Sequence, residues 1–254
     1  MAEAALAHRS GVDHDRAEKP NLVLSKDKFG MTPLHWAAMN GYKRVAELLL
    51  AYKAEVNARD NDSFMPLHWA AEKGHKEVAE LLLANKAEVN GKILRGGMPL
   101  HLAAQHDHRE VAELLLANNA DINARDDVDR TPLHTAAEGN HIDVVALLLA
   151  DKAEVNARDN DGWTPLFIAA EKGYKNLAGL LIANKADVNA KNSHGETPLQ
   201  MAVEYGFRDI IQLLIASGAD VNVKDNQGQT PLSLAESTGN KAITELLRQH
   251  GGHE

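Results

Sequence analysis

The sequence predicts an all-α repeat solenoid, and three observations carry that reading. Seven of the eight prolines stand at Pro33, Pro66, Pro99, Pro132, Pro165, Pro198 and Pro231, each 33 residues from the next. A fixed period of this size sets the architecture before any local pattern is weighed. Each period holds two short apolar patterns at helical spacing, divided by glycine or a polar residue. Such helices fall below the roughly 12–15 residues that an isolated helix needs, so each pair must be held by its neighbours.

The first repeat shows how the unit is built. Thr32 is a suitable N-cap, and Pro33 fits the first helical position, where its missing N–H costs nothing. That helix is predicted to run about two turns and stop at Gly41, a residue free to turn left-handed. A second helix follows, with Val45, Leu48 and Leu49 on one face. Polar stretches such as Asn156-Ala157-Arg158-Asp159-Asn160-Asp161-Gly162 then form an extended link and tight turn. The other columns keep the same register. Leu follows every one of the seven prolines, Ala stands at 37, 70, 103, 136, 169, 202 and 235, and Asn at 57, 90, 123, 156, 189 and 222. The repeats are bounded at 27–59, 60–92, 93–125, 126–158, 159–191, 192–224 and 225–254, as one domain after a leader of 1–26.

Composition removes several function classes. The 254 residues carry 27 Lys and Arg against 36 Asp and Glu, a net charge of −9. That balance disfavours nucleic acid as the main partner, because phosphate recognition needs a basic face. With no cysteine, disulfides, thiolate zinc sites and Cys nucleophiles are all excluded. The longest apolar runs, such as Val144–Ala150, are about a third of a bilayer span. The N-terminal stretch lacks the basic start and apolar core of a secretory signal. A monomeric cytoplasmic protein is expected.

These residues resemble the ankyrin repeat. The family's Thr-Pro-Leu-His start stands intact at Thr32–His35 and Thr131–His134, with variants at Met65–His68, Met98–His101, Thr164–Phe167, Thr197–Gln200 and Thr230–Ser233. The link that is similar to Ala-Asp-Val-Asn appears at Ala54–Asn57, Ala87–Asn90, Ala120–Asn123, Ala153–Asn156, Ala186–Asn189 and Ala219–Asn222. The resemblance implies stacked helix pairs with short β-hairpin-like finger turns, a concave groove that binds a protein or peptide, and no catalytic residues or cofactor.

Departures from the pattern carry their own expectations. Met65 and Met98 replace the capping Thr, at an expected cost of about 1 kcal/mol each. Asp107 and Asn140 take the inter-helix glycine position, where they are the residues best able to turn left-handed. Lys53, Lys86, Lys152 and Lys185 stand where repeat six has Gly218. The last repeat places Arg248 and Thr244 in columns that are apolar elsewhere, as a C-terminal cap would. The first repeat has no such change, so its outer face is apolar if bare. Residues 5–13, Ala-Leu-Ala-His-Arg-Ser-Gly-Val-Asp, are similar to Leu82–Asn90 and read as a degraded half repeat or as an unstructured leader.

The sequence holds few residues arranged for chemistry. No phosphate-binding glycine loop, dinucleotide fingerprint or His-Glu-x-x-His is present. Asp159-Asn160-Asp161-Gly162 fails as a calcium loop because the first ligand position would fall at Ala157. His106-Asp107-His108 offers metal-ligand types, but the register gives these residues capping and packing roles. His35, His68, His101 and His134 recur with the period and are structural. No catalytic, cofactor-binding or metal residues are assigned.

What differs between repeats is the surface. On the fingers and first helices the candidate partner-binding residues are Phe29, Met31, Phe64, Leu94, Arg95, Val128, Arg130, Trp163, Glu196 and Tyr205. Aromatic residues beside arginine are what interface hot spots use. Trp36 and Trp69 share a column with Leu102 and Ile168 and are read as packing. Two functions stay open: a protein-binding module, and an engineered or structural solenoid without a native ligand. Uninterrupted repeats and the lack of cysteine lean toward an engineered origin, while framework drift at Gly179, Val203, Ile211 and the two Met for Thr leans toward a natural chain.

Overall fold

The computed structural model describes residues 22–253, and every described regular element is helical. The half-repeat resemblance at residues 5–13 lies outside the described residues. The first unit, ending at Asp121, holds α1 (Pro33–Met39), α2 (Lys43–Ala51), α3 (Pro66–Glu72), α4 (Lys76–Ala84), α5 (Pro99–Gln105) and α6 (Arg109–Ala117). The second unit, beginning at Ile122, holds α7 (Pro132–Glu138), α8 (Ile142–Ala150), α9 (Pro165–Lys172), α10 (Lys175–Ala183), α11 (Pro198–Glu204), α12 (Arg208–Ala216), α13 (Pro231–Ser237) and α14 (Lys241–Gln249). In each unit the helices form antiparallel pairs stacked in series, α1 on α3 on α5 and α7 on α9 on α11 on α13. This is the stacked helix-pair repeat solenoid that the period predicts.

Left-handed residues set the corners. Gly41 ends α1 at φ 70°, as its position predicts, and Asp107 and Asn140 do the same at φ 59° and 56°. After the second helices Lys53, Lys86, Lys152 and Lys185 are held at φ 67–69°. Each lysine carries there roughly the 1 kcal/mol that a Cβ costs in this region.

Three hydrogen-bond ladders bind one repeat to the next. The first uses asparagine. Asn57 Oδ1 accepts from the Glu88 N–H at 2.9 Å, while its Nδ2 donates to the Lys86 carbonyl. Asn156 and Asn189 repeat both bonds onto 187/185 and 220/218. A side chain that must both accept and donate explains asparagine rather than aspartate here. In the second ladder a cation donates to the carbonyl 33 residues on: Lys26 to Arg59, Arg59 to Lys92, Arg125 to Arg158. The third joins successive fingers by single backbone bonds, from Asn61 N–H to the Phe29 carbonyl and from Asn160 N–H to the Val128 carbonyl.

The start of each first helix corrects one expectation. Thr32 Oγ1 accepts no bond from the helix N–H groups. Instead the Thr32 N–H and hydroxyl reach His35 Nδ1 at 3.0 and 2.8 Å, and the His35 N–H donates to the Thr32 carbonyl. Met65 and Met98 keep the backbone bond to His68 and His101. Replacing Thr by Met therefore keeps the backbone bond to the histidine and gives up the hydroxyl's bond to His Nδ1 seen at Thr32 and Thr131. True side-chain caps occur where histidine is absent, at Thr164, Thr197 and Thr230.

Candidate interaction surface

Six of the seven fingers are five-residue turns built on an Asp or Asn, and the third begins at Ile93, whose N–H donates to the Gly97 carbonyl. Asp27 Oδ1 accepts from the N–H groups of Phe29 and Met31, and the Asp27 N–H donates to the Met31 carbonyl. Burial works against the Asp27 carboxylate, but the donors Trp36 Nε1, Met31 N–H and Phe29 N–H outweigh it and hold it below the ordinary carboxylate range. Asp60, Asp126, Asp159, Asn192 and Asp225 make the same turn. Its second and third residues therefore point to solvent, and its fifth turns back toward the first helix.

That geometry sorts the sequence-predicted contacts. Phe29, Arg95 and Val128 occupy the third position and Leu94 the second, and all are exposed, Leu94 at 64%. Lys28 Nζ lies over the Phe29 ring at 4.8 Å. Tyr205, at the end of α11, is also exposed and stacks on Phe207 at 6.2 Å. The five other residues occupy the inward fifth position. Met31 is buried at 6% exposure, contrary to its reading as a surface contact. Phe64 is half-buried against Trp69 and His68, at ring distances of 4.9 and 5.6 Å. Trp163 is half-buried against Phe167 at 4.7 Å. Arg130 is paired with Glu138 at 2.7 Å and stands 3.8 Å from Asp159. Glu196 accepts from Asn192 Nδ2 at 2.7 Å. These five support the fingers rather than stand free at their tips.

The periodic histidines lie beneath. His35 Nε2 faces the Phe64 carbonyl at 3.0 Å, which can only accept, so Nε2 carries the proton and Nδ1 accepts from Thr32. His134 makes the same pair of bonds to Thr131 and Trp163, whereas His68 accepts from the Met65 N–H and donates to the Gly91 carbonyl, in the link that closes its own repeat. Burial pushes all three down, His68 to about 4. In repeat six Gln200 substitutes isosterically: Oε1 accepts from the Thr197 N–H and Nε2 donates to the Gln229 carbonyl. Phe167, in repeat five, has no side-chain polar atom for this bond.

Sequence reasoning placed one exposed ring as packing. Trp36 is 43% exposed, its Nε1 donating to Asp27 Oδ2 at 3.0 Å. Its column is buried only where a preceding repeat lies against it. No group of three or more metal-ligating side chains occurs among the described residues. His108, from the considered His106–His108 set, donates through Nε2 to the Glu72 carbonyl. Among the described residues no helix is long and apolar enough to cross a membrane.

The comparisons agree with this arrangement. The family model described as ankyrin repeats (3 copies) matches residues 6–93, 62–126, 100–192 and 180–254. The chain belongs to the ankyrin repeat family. Ankyrin repeats generally serve as protein-interaction modules without catalytic residues of their own. Among solved structures, the crystal structure of the human ASB11 ankyrin repeat domain is similar at 27% identity and a TM-score of 0.79. That alignment covers 88% of this chain and all of the other. No curated protein matches the sequence.

Proposed function

We propose that this chain is a cytoplasmic, monomeric binding module that holds a protein or peptide on its finger tips and adjoining first-helix surface. The observation that carries this reading is the apolar character of tip positions exposed in every repeat: Phe29 and Leu94 in the first unit, Val128 in the second. Arg95 stands exposed beside Leu94, and Tyr205 offers a ring on α11. Large apolar side chains at positions without a packing role are what an interface centre uses. Phe64, Trp163, Arg130 and Glu196 set the shape of the fingers from beneath.

The test is selection of ligands from a displayed peptide library against the intact chain, followed by substitution. Leu94→Ala and Val128→Ala are each expected to weaken binding by about 1–2 kcal/mol, leaving melting unchanged within about 0.5 kcal/mol. Arg95→Glu should slow association with an acidic ligand, and Lys76→Ala, at the start of α4, should do nothing. Unchanged affinity for the tip variants, or failure to select any ligand, overturns the reading. The second outcome would favour a structural solenoid without a native ligand.

A further inference from the structure

The asparagine ladder contains one step unlike the others. Asn57, Asn123, Asn156 and Asn189 are each followed by alanine and Asn222 by valine, whereas Asn90 is followed by Gly91. Within the first unit Asn90 spans the seam between repeats two and three. Its Oδ1 accepts from the Asp121 N–H at 2.9 Å, and its Nδ2 donates to the Asn119 carbonyl at 3.2 Å. Gly91 is buried, and its N–H donates to the Glu88 carbonyl at 3.3 Å. The carboxamide of Asn90 is thus held away from the one backbone nitrogen able to attack it. Elsewhere in the ladder a Cβ on the next residue crowds that attack. Glycine leaves the approach open and gives the backbone the freedom to make it.

We propose that Asn90–Gly91 is a site of spontaneous deamidation, guarded while the seam between repeats two and three is closed and exposed when it opens. In the open form the Gly91 nitrogen attacks the side-chain carbonyl carbon of Asn90. The new C–N bond closes a succinimide ring, and Nδ2 leaves as ammonia with the proton that Gly91 gives up. Water then opens the ring at either carbonyl, leaving aspartate or isoaspartate. No oxidant or metal enters the balance. The product acts back on the seam. Aspartate at 90 keeps an acceptor for the Asp121 N–H but offers no donor, so an acceptor faces the Asn119 carbonyl. Isoaspartate also lengthens the main chain of the link by one methylene. A transient opening is thereby recorded as a covalent change that makes the next opening easier. The other Asn-Gly step, Asn40–Gly41, lies outside the ladder: Asn40 Nδ2 donates to the Trp36 carbonyl of its own helix at 2.8 Å. It serves as an internal comparison.

Peptide mass spectrometry on the full chain, incubated at neutral pH, tests this, with enzymatic methylation of isoaspartate as a second probe. Asn90 is expected to react about tenfold or more slowly in the folded chain than in a peptide of residues 86–95, and at the peptide's rate in denaturing urea. Below the unfolding midpoint the rate should climb with urea, following the opened fraction. Leu115→Ala truncates a fully buried side chain of α6. It should speed the reaction at Asn90 about tenfold and leave Asn40 unchanged; if that variant does not fold, the urea series on the parent decides. Because a Cβ at Gly91 alone would meet Met65, the glycine is removed in the Met65→Thr/Gly91→Ala pair. In urea Asn90 of that pair should react about tenfold or more slowly than in the parent. Asn90→Asp, which writes in the product, should speed amide exchange in α6 about threefold or more and leave α1 unchanged. Equal rates in the folded chain and the peptide, equal rates in urea with and without Gly91, or unchanged α6 exchange in Asn90→Asp each overturn the proposal. A matching acceleration at Asn40 in Leu115→Ala would also overturn it, since the opening would then be global.

Discussion

At position 91 a glycine stands where Ala58, Ala124, Ala157 and Ala190 stand in other repeats, and the reason is one side chain away. A Cβ placed on Gly91 would run into the terminal methyl of Met65, which is fully buried. Met65 fills the space that the alanine methyl fills elsewhere, so the two departures form one compensated pair. Neither is a capping defect. Gly91→Ala alone should cost about 1–3 kcal/mol by overpacking a closed site. In a Met65→Thr background the same substitution should be near neutral, since the methyl has somewhere to go. Chemical denaturation of the four proteins in this double-mutant cycle measures the coupling. Additivity within about 0.5 kcal/mol would show that the two sites are independent, and the compensation argument would fail.

At the scale of the element, the first helices are tied to a carbonyl of the following link or finger by a histidine that must be neutral. Nδ1 accepts from a backbone N–H, so a proton there would set donor against donor. Burial lowers the folded-state value of His68 from 6.5 to about 4, and those of His35 and His134 in the same direction. Between pH 6.5 and 4 the unfolded chain thus binds more protons than the folded one. Stability rises with pH through this window. It is present above pH 6.5 and is lost as the pH falls toward 4, by roughly 3 kcal/mol for His68 alone. His68→Gln supplies the acceptor and donor that Gln200 uses in repeat six, here for the Met65 N–H and the Gly91 carbonyl. That variant should match the parent near pH 7 and lose less stability at pH 4.5. Urea midpoints across the window decide it, and an unchanged slope with pH would remove His68 from the acid response. The same elements show what a single ring does by position. Phe29, third in its finger, is exposed, whereas Phe64, fifth in the next, packs on Trp69.

Across the whole molecule, the 33-residue period made the order of α1–α14 legible, because proline, glycine and apolar spacing repeat with it. The finger residues were legible only as a set. Composition marks Phe29, Phe64 and Trp163 alike as aromatic, and only their offset from the finger's Asp separates tip from support. That offset is in the sequence. Its meaning, however, comes from the Asp–backbone bonds that turn the fifth residue inward. The compensation of Met65 by Gly91 is also written there, but as two departures 26 residues apart that only packing connects. Such a chain should respond to damage locally, since each helix pair touches only its neighbours. Within the second unit, Leu181 of α10 is fully buried, and α10 packs on α8, α9 and α12. Leu181→Ala should cost about 2–5 kcal/mol as a truncated core leucine. Hydrogen exchange should then rise most in α8–α12 and least in α14, which is separated from the cavity by an intervening pair. A uniform rise through α14 would instead mean that the unit opens as one block, and that stability there is not a sum of neighbouring contacts.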